Sequence, residues 1–297
     1  MARFGRVLTA MVTPFDDRGD LDLDAAVALA RWLVEQGNEG LVVTGTTGES
    51  PTLTHEEDYA LWEAVARAVT VPVIAGAGNN DTASSIERTK AAESAGAAGI
   101  LAVTPYYNRP SQAGLEAHFA AIAGATTLPV MLYDIPFRTG RKVEMATILG
   151  LAEAHPNVVA VKDAAGDVAE SARLIAAAPD GFELYSGEDK LNLPLLSVGA
   201  VGFVGVASHW TAPETAALFD AWERGDVAEV LRIDQALRPS YVYESSDAAP
   251  NPVPTKAMMR TLGHPVGQPR APLGPTPDGL EDEARRVYAE LKSASIA

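Results

Sequence analysis

Short runs of apolar, β-prone residues recur along the chain, each followed by a longer Ala-rich stretch whose apolar positions fall at helical spacing. The runs are GRVLTAMV, EGLVVTG, VPVIAGAG, AGILAVTP, LPVMLYDIP, NVVAVKDA, FELYSGED and AVGFVGVAS. They are continuous rather than alternating, as strands buried on both faces of a helix-covered parallel sheet require. Among the intervening stretches, LDAAVALARWLVEQG, THEEDYALWEAVARAV and DTASSIERTKAAESAG carry Asp or Thr near their starts, and the first and third end in Gly. That is the pattern of a capped helix.

Strict alternation of strand and helix, with a spacing of roughly 30 residues, leaves an α/β barrel or a doubly wound sheet. Eight units in about 220 residues favour the (β/α)8 TIM barrel, because open sheets usually have fewer strands. After Trp222 the strands stop. A helical pattern, DVAEVLRIDQALRPSYVYE, is followed by a break at Pro250, Pro252 and Pro254 and by two more helix-like stretches ending at ARRVYAELKSA. The expected organisation is therefore a catalytic barrel over 1–224 and a C-terminal helical subdomain over 225–297.

Charge narrows the functional classes. With 39 acidic against 23 basic side chains, a formal charge of -16 repels phosphate backbones and anionic membrane surfaces, so no nucleic-acid or membrane partner is expected. A small anionic substrate must be held by locally placed cations or N–H groups. The chain has no cysteine, which excludes disulfides, thiolate nucleophiles and thiolate-bound metals. The N-terminal MARFGRVLTAMVTPF lacks a signal peptide's apolar stretch, and no run approaches the ~20 apolar residues of a spanning helix. A soluble, cytoplasmic protein is expected.

In barrels of this kind catalytic side chains stand at the C-terminal ends of the strands. The residues there are Thr46 and Thr47, Tyr106 and Tyr107, Tyr133 and Arg138, and Lys162. A lone ammonium ending the apolar run NVVAV faces a desolvation penalty that lowers its pKa, and a neutral amine is a nucleophile toward carbonyls. The plainer alternative is a lysine paired with Asp163 or reaching to solvent. Forming an imine and an enamine requires protons to move at carbon and oxygen, which Tyr133, Thr47 and Tyr107 could relay without a metal, although a tyrosine at a strand end ordinarily buries its ring and wets its hydroxyl.

Gly45 and Gly48 of GTTGES offer close backbone approach for a carboxylate, as do many βα turns for purely geometric reasons. Arg138 could grip a carboxylate with two hydrogen bonds or form a surface ion pair. His55, His118, His155, His209 and His264 lack metal-ligand spacing, so no metal is expected. There is no G-x-S-x-G elbow or Walker loop, and GAGNNDT lacks the last glycine of a dinucleotide fingerprint.

Taken together, GTTGES at 45–50, VTPYYNRPSQ at 103–112, LYDIPFRTG at 132–140, VKDAAGD at 161–167, SGED at 186–189, GAVGFVGV at 199–206 and PNPVPTK at 250–256 resemble one family nearly end to end, the 4-hydroxy-tetrahydrodipicolinate (dihydrodipicolinate) synthases. The resemblance implies a lyase of lysine and diaminopimelate biosynthesis that joins pyruvate to L-aspartate 4-semialdehyde without an organic cofactor. On it, Lys162 forms the imine with pyruvate, Tyr133 donates and accepts protons, Thr46 and Tyr107 complete the relay, and Thr47 holds the pyruvate carboxylate.

Arg138 would bind the semialdehyde carboxylate, with Gly187 and Val204 also at the substrate, Val204 standing where the family usually has Ile. Tyr107 would enter a neighbour's site in a homo-oligomer whose minimal unit is a dimer and whose usual form is a dimer of dimers. Ser50, Pro51, His55, Asn80, Ser84 and Tyr106 occupy positions of the family's allosteric lysine pocket. Asp58, however, replaces a common His, and Ser84 replaces a Glu that contacts lysine. Losing that carboxylate removes a charge-assisted bond of ~1.5–3 kcal/mol, so weak or absent lysine inhibition is expected.

Two other readings stay open. One is a sister lyase acting on sialic acid or a keto-deoxy sugar acid, against which Arg138 argues because a polyol needs several neutral partners. The other is a catalytically silent keto-acid-binding barrel, against which the complete Lys162, Tyr133, Thr46 and Tyr107 set argues.

Overall fold

The computed structural model describes residues 2–296. Eight parallel strands close on themselves in sequence order: β1 (Val7–Ala10), β2 (Gly40–Val43), β3 (Val73–Gly76), β4 (Gly99–Val103), β5 (Val130–Asp134), β6 (Val158–Asp163), β7 (Glu183–Ser186) and β8 (Gly202–Gly205). Between and after them run α1 (Leu23–Glu35), α2 (His55–Ala68), α3 (Thr82–Ser94), α4 (Gln112–Ala123), α5 (Pro136–Thr139), α6 (Met145–Ala154), α7 (Val168–Ala177), α8 (Asn192–Leu196), α9 (Ser208–Glu223), α10 (Val227–Tyr243), α11 (Val253–Thr261) and α12 (Leu280–Ser293). The (β/α)8 barrel expected from the hydrophobic pattern is what the chain forms.

Strand period decides which residues enter the barrel. Leu8, Val42, Ile74, Leu101, Met131, Ala160 and Val204 fill its interior above Phe4, while Val7, Leu41, Val43, Val73, Leu132, Val161 and Phe203 face the surrounding helices. Both sets are buried, which explains the unbroken apolar runs. Tyr133 lies two residues beyond Met131 and Lys162 two beyond Ala160, so both continue the inward face at the strands' C-terminal ends. They are register partners across β5 and β6.

The helices begin where their caps dictate. Asp22 accepts from the Ala25 N–H at the start of α1, and Thr54 and Glu57 form a reciprocal capping box on α2. Gly37 and Gly96, with φ of 97° and 88°, follow the ends of α1 and α3 in the left-handed conformation that favours glycine. The segment DIPFRTG contains a single helical turn, α5. Pro136 is pre-set for its first position and Gly140 closes it. The proline break after α10 is narrower than the sequence suggests, since Pro254 already lies in the first turn of α11. Helices α10 to α12 share one continuous apolar core with the outer face of the barrel.

Candidate active site

At the C-terminal mouth of the barrel, Thr46, Thr47, Tyr133, Arg138, Lys162 and Gly187 line a single cavity of about 440 Å³, within the size range of small-molecule sites. Six residues from four strand ends thus meet in one cavity.

Lys162 is 5% exposed. Its neighbour Asp163 is not its partner: that carboxylate accepts from the Ala165 N–H at 2.8 Å and the Ser171 hydroxyl at 2.6 Å, on the outer side of the strand. No group among the described residues ion-pairs with the Lys162 ammonium, which instead lies 4.2 Å from the centre of the Tyr133 ring. Burial is the largest influence on this amine and lowers its pKa to about 8. Asp189 and Glu188 pull it up, and Arg138 pushes it down. Gly187 has a steric reason to be glycine, because a Cβ there would come within 2.8 Å of Lys162 Cγ and 2.9 Å of Cε.

Tyr133 is 4% exposed, and burial raises the pKa of its phenol, against the pull of Arg138 and of a hydrogen bond with the Thr46 side chain. It is therefore a phenol at neutral pH, with a proton to give. Arg138, on α5, is exposed, lines the cavity and has no ion-pair partner among the described residues. The alternative of a surface salt bridge does not hold in this structure.

The loop carrying Thr46 and Thr47 is tightly constrained. Thr44 and Glu49 take φ of 58° and 59°, and Gly76 admits the Thr44 carbonyl so closely that a Cβ would lie 2.3 Å from it. The C-terminal segment holds this loop from outside the barrel. Asn251 Nδ2 donates to Thr47 Oγ1 at 2.9 Å, the Arg270 N–H donates to Glu49 at 2.8 Å, and Lys256 Nζ pairs with Glu49 Oε1 at 2.6 Å.

Sequence reasoning missed this second half of the wall. Glu188, Asp189, Glu244 and Asn251 also line the cavity. Asn251 lies inside the quoted PNPVPTK block and could have been singled out as the only polar side chain between its prolines. Nothing marks Glu244.

Two site candidates lie elsewhere. Val204 is 1% exposed within the inner core and is not part of the cavity lining, which Val206 reaches instead. Tyr107 is 90% exposed with φ of 72° and is not among the residues lining this cavity. Of the candidate allosteric set, Ser50, Pro51 and Tyr106 line an adjoining cavity of about 210 Å³ that shares Thr46, Tyr133 and Arg138 with the first. Asn80, Ser84 and His55 lie outside its lining, Ser84 Oγ standing 3.4 Å from His55 Nε2. Asp58 is fully buried and ion-paired with Arg88.

Among the described residues, no group of three or more His, Asp or Glu side chains is arranged to hold a metal, and no helix is long and apolar enough to cross a membrane.

An (β/α)8 barrel with a buried, unpaired lysine beneath a phenol and a guanidinium belongs to the class of barrels suited to carbonyl chemistry at an amine. Comparison with known proteins narrows this. The chain matches the model of the dihydrodipicolinate synthetase family over residues 3–292. It is 48% identical to the 4-hydroxy-tetrahydrodipicolinate synthase of Moorella thermoacetica over 297 residues, 99% of either chain. It is 49% identical to that of Parasynechococcus marenigrum, over 97% of this chain and 96% of the relative.

Among solved structures, the dihydrodipicolinate synthase of Cyanidioschyzon merolae with lysine bound superposes with a TM-score of 0.94 at 44% identity, covering 97% of this chain and 98% of that one. One from Bacillus anthracis superposes at 0.93 with 42% identity, covering 97% and 99%. The chain belongs to the dihydrodipicolinate synthetase family, and the resemblance read from its motifs is borne out. It is an enzyme, a lyase of lysine and diaminopimelate biosynthesis.

Proposed function

We propose that this chain condenses pyruvate with L-aspartate 4-semialdehyde to 4-hydroxy-tetrahydrodipicolinate through a Schiff base on Lys162. The observation that carries the reading is a buried amine, free of any ion-pair partner, facing a cavity that also holds Tyr133 and Arg138.

The neutral Lys162 amine attacks the pyruvate keto carbon, and the oxygen leaves as water once protonated, giving an imine. Tyr133, whose hydroxyl has the Thr46 side chain beside it, is placed to supply that proton and to move the next one. Loss of a proton from the pyruvate methyl gives an enamine, whose carbon attacks the aldehyde, and the new alkoxide takes a proton to become the ring hydroxyl. The semialdehyde amine then displaces Lys162 from the imine carbon, closing the ring and freeing the enzyme. Overall one carbon–carbon bond and the ring carbon–nitrogen double bond form, and one water is released.

Thr47, held by Asn251, and the N–H groups of the Gly45 loop suit the pyruvate carboxylate, with Gly187 leaving the room that the Lys162 chain needs. Arg138 suits the semialdehyde carboxylate, and Glu188 on the same cavity suits its ammonium. Val204 would act from below, through packing. Tyr107 is 90% exposed and absent from the lining of its own subunit's cavity, so its part in the relay calls for a second copy, with a homodimer as the minimal active unit. Mixing inactive Lys162→Ala with inactive Tyr107→Phe subunits should then restore part of the activity. Complete silence of the mixture would sink the crossed-site arrangement.

The same reading covers regulation. With Ser84 in place of a carboxylate and the Asp58 charge already matched by Arg88, lysine lacks a fixed anion for its ammonium. Weak or absent inhibition is expected, and half-inhibition at submillimolar lysine would contradict this. For the reaction itself, the test is turnover of pyruvate with aspartate semialdehyde set against turnover with polyol aldehydes. Preference for a polyol would favour the sister sugar-acid lyase.

A further inference from the structure

The cavity wall contains an acid that the reaction scheme above does not use. Glu244 follows α10 directly and is 5% exposed. Its Oε2 has no hydrogen-bond partner, and the residue lines the same cavity as Asp189. A buried carboxyl without a donor, sharing a cavity with other acids, is costly to charge and favours its protonated form.

The distribution of donors separates it from Asp189. Asp189 Oδ2 accepts from the Val206 N–H at 2.7 Å and the Ala207 N–H at 3.3 Å, and Oδ1 accepts from Asn192 Nδ2 at 3.2 Å. Gly205 makes room for it, since a Cβ there would lie 2.5 Å from Oδ1. No comparable donors surround Glu244. The charged and titratable groups acting on it are Glu188, Asp189 and Lys190 from the connection after β7 and Tyr241 from its own segment, and Arg138, Lys162 and Asp247 line the same cavity. Lys190, itself exposed, is the positive charge that acts on it.

We propose that Glu244 is a positioning residue held as a neutral carboxylic acid that donates its proton to Asp189, so that a single, hydrogen-bonded carboxylate faces Lys162. In this arrangement Asp189 supplies enough negative field to keep the lysine in the cavity. The Glu244 proton tempers that field, so that the amine can still lose its charge near neutral pH and attack pyruvate. Burial, Asp189 and Glu188 all push the Glu244 carboxyl well above the usual carboxylate range, in agreement with this geometry. The inference rests on the Schiff-base role of Lys162 for its consequence, but not for the protonation itself.

The first test therefore uses no substrate. Wild-type protein carrying carbon-13 in its glutamate side-chain carboxyls should give, at pH 8, an infrared band of a protonated carboxyl that moves with the label and is lost in Glu244→Gln. Absence of that band from the wild type, or its survival in the variant, overturns the proposal.

The second test reads the amount of pyruvate adduct trapped on Lys162 by borohydride as a function of pH. Glu244→Ala leaves Asp189 less compensated, so the midpoint rises and trapping at pH 7 falls about threefold, while Glu244→Gln, with its amide donor, recovers it. A charged Glu244 would give the opposite sign, with trapping at pH 7 increasing in both variants. An increase, or no change in Glu244→Ala, overturns the proposal. If no adduct forms at Lys162 in any protein while the infrared band is present, the Schiff-base reading has failed and the protonated pair stands.

Discussion

Two lysines are buried in this molecule, and burial lowers the pKa of each to about 8. Lys256, on α11, is fully buried, pairs with Glu49 at 2.6 Å and sits 4.0 Å from the centre of the Phe15 ring. Lys162 has the ring of Tyr133 in the equivalent place, but no paired carboxylate, and its amine opens on a cavity. A lowered pKa therefore does not distinguish a nucleophile from a structural cation. What distinguishes them is whether a bound carboxylate already claims the charge and whether a substrate can reach the nitrogen. Lys256 ties the C-terminal helices to the loop bearing Thr46 and Thr47, while Lys162 is left free to react.

The largest difference should follow from deleting each amine. Lys162→Ala should lower turnover by more than a thousandfold, with the denaturation midpoint nearly unchanged. Lys256→Met should do the reverse, leaving Glu49 buried without its ion-pair partner at a cost of about 3–5 kcal/mol, measured by urea unfolding, while the protein that stays folded still reacts with pyruvate. Equal loss of stability in both variants would remove the contrast.

Next in size is Tyr133→Phe, which keeps the ring and removes the phenolic proton. Turnover should fall by ~10²–10⁴-fold. A fall of less than threefold would leave the proton transfers to other groups. Arg138→Ala should raise KM for aspartate semialdehyde by roughly tenfold to hundredfold, with trapping of pyruvate unaffected. An equal loss in trapping would place the guanidinium on pyruvate instead.

The pH dependence is smaller over any single step but has a definite sign. Only the neutral amine attacks, and the Lys162 pKa is about 8. Adduct formation should rise about tenfold per pH unit below 8 and level off above it. A rate independent of pH between 6 and 8 would mean that the amine is already neutral. Asn251→Ala should have the least effect. Loss of one hydrogen bond to Thr47 should weaken pyruvate binding by about threefold to tenfold.

The sequence discloses the barrel because burial on both faces leaves an unbroken apolar run at each strand, and the end of each run marks the mouth where Thr46, Tyr133 and Lys162 stand. The contrast between the two lysines is invisible there. Lys162 announces itself by ending NVVAV, but Lys256, in VPTKAMM, reads as one cation on a helix, and its partner Glu49 lies 207 positions away along the chain.

Glu244 and Asn251 enter the site because the helices after the barrel return over its mouth, a tertiary event that no local period encodes. Tyr107 was legible as a tyrosine beyond β4, yet its left-handed backbone and its exposure are properties of the loop in three dimensions.

The most direct test of this account is to incubate the protein with pyruvate, reduce with borohydride and map the added mass by peptide mass spectrometry. The account requires the adduct on Lys162, with Lys256 unmodified. Adduct on Lys256, or none on Lys162, would contradict it.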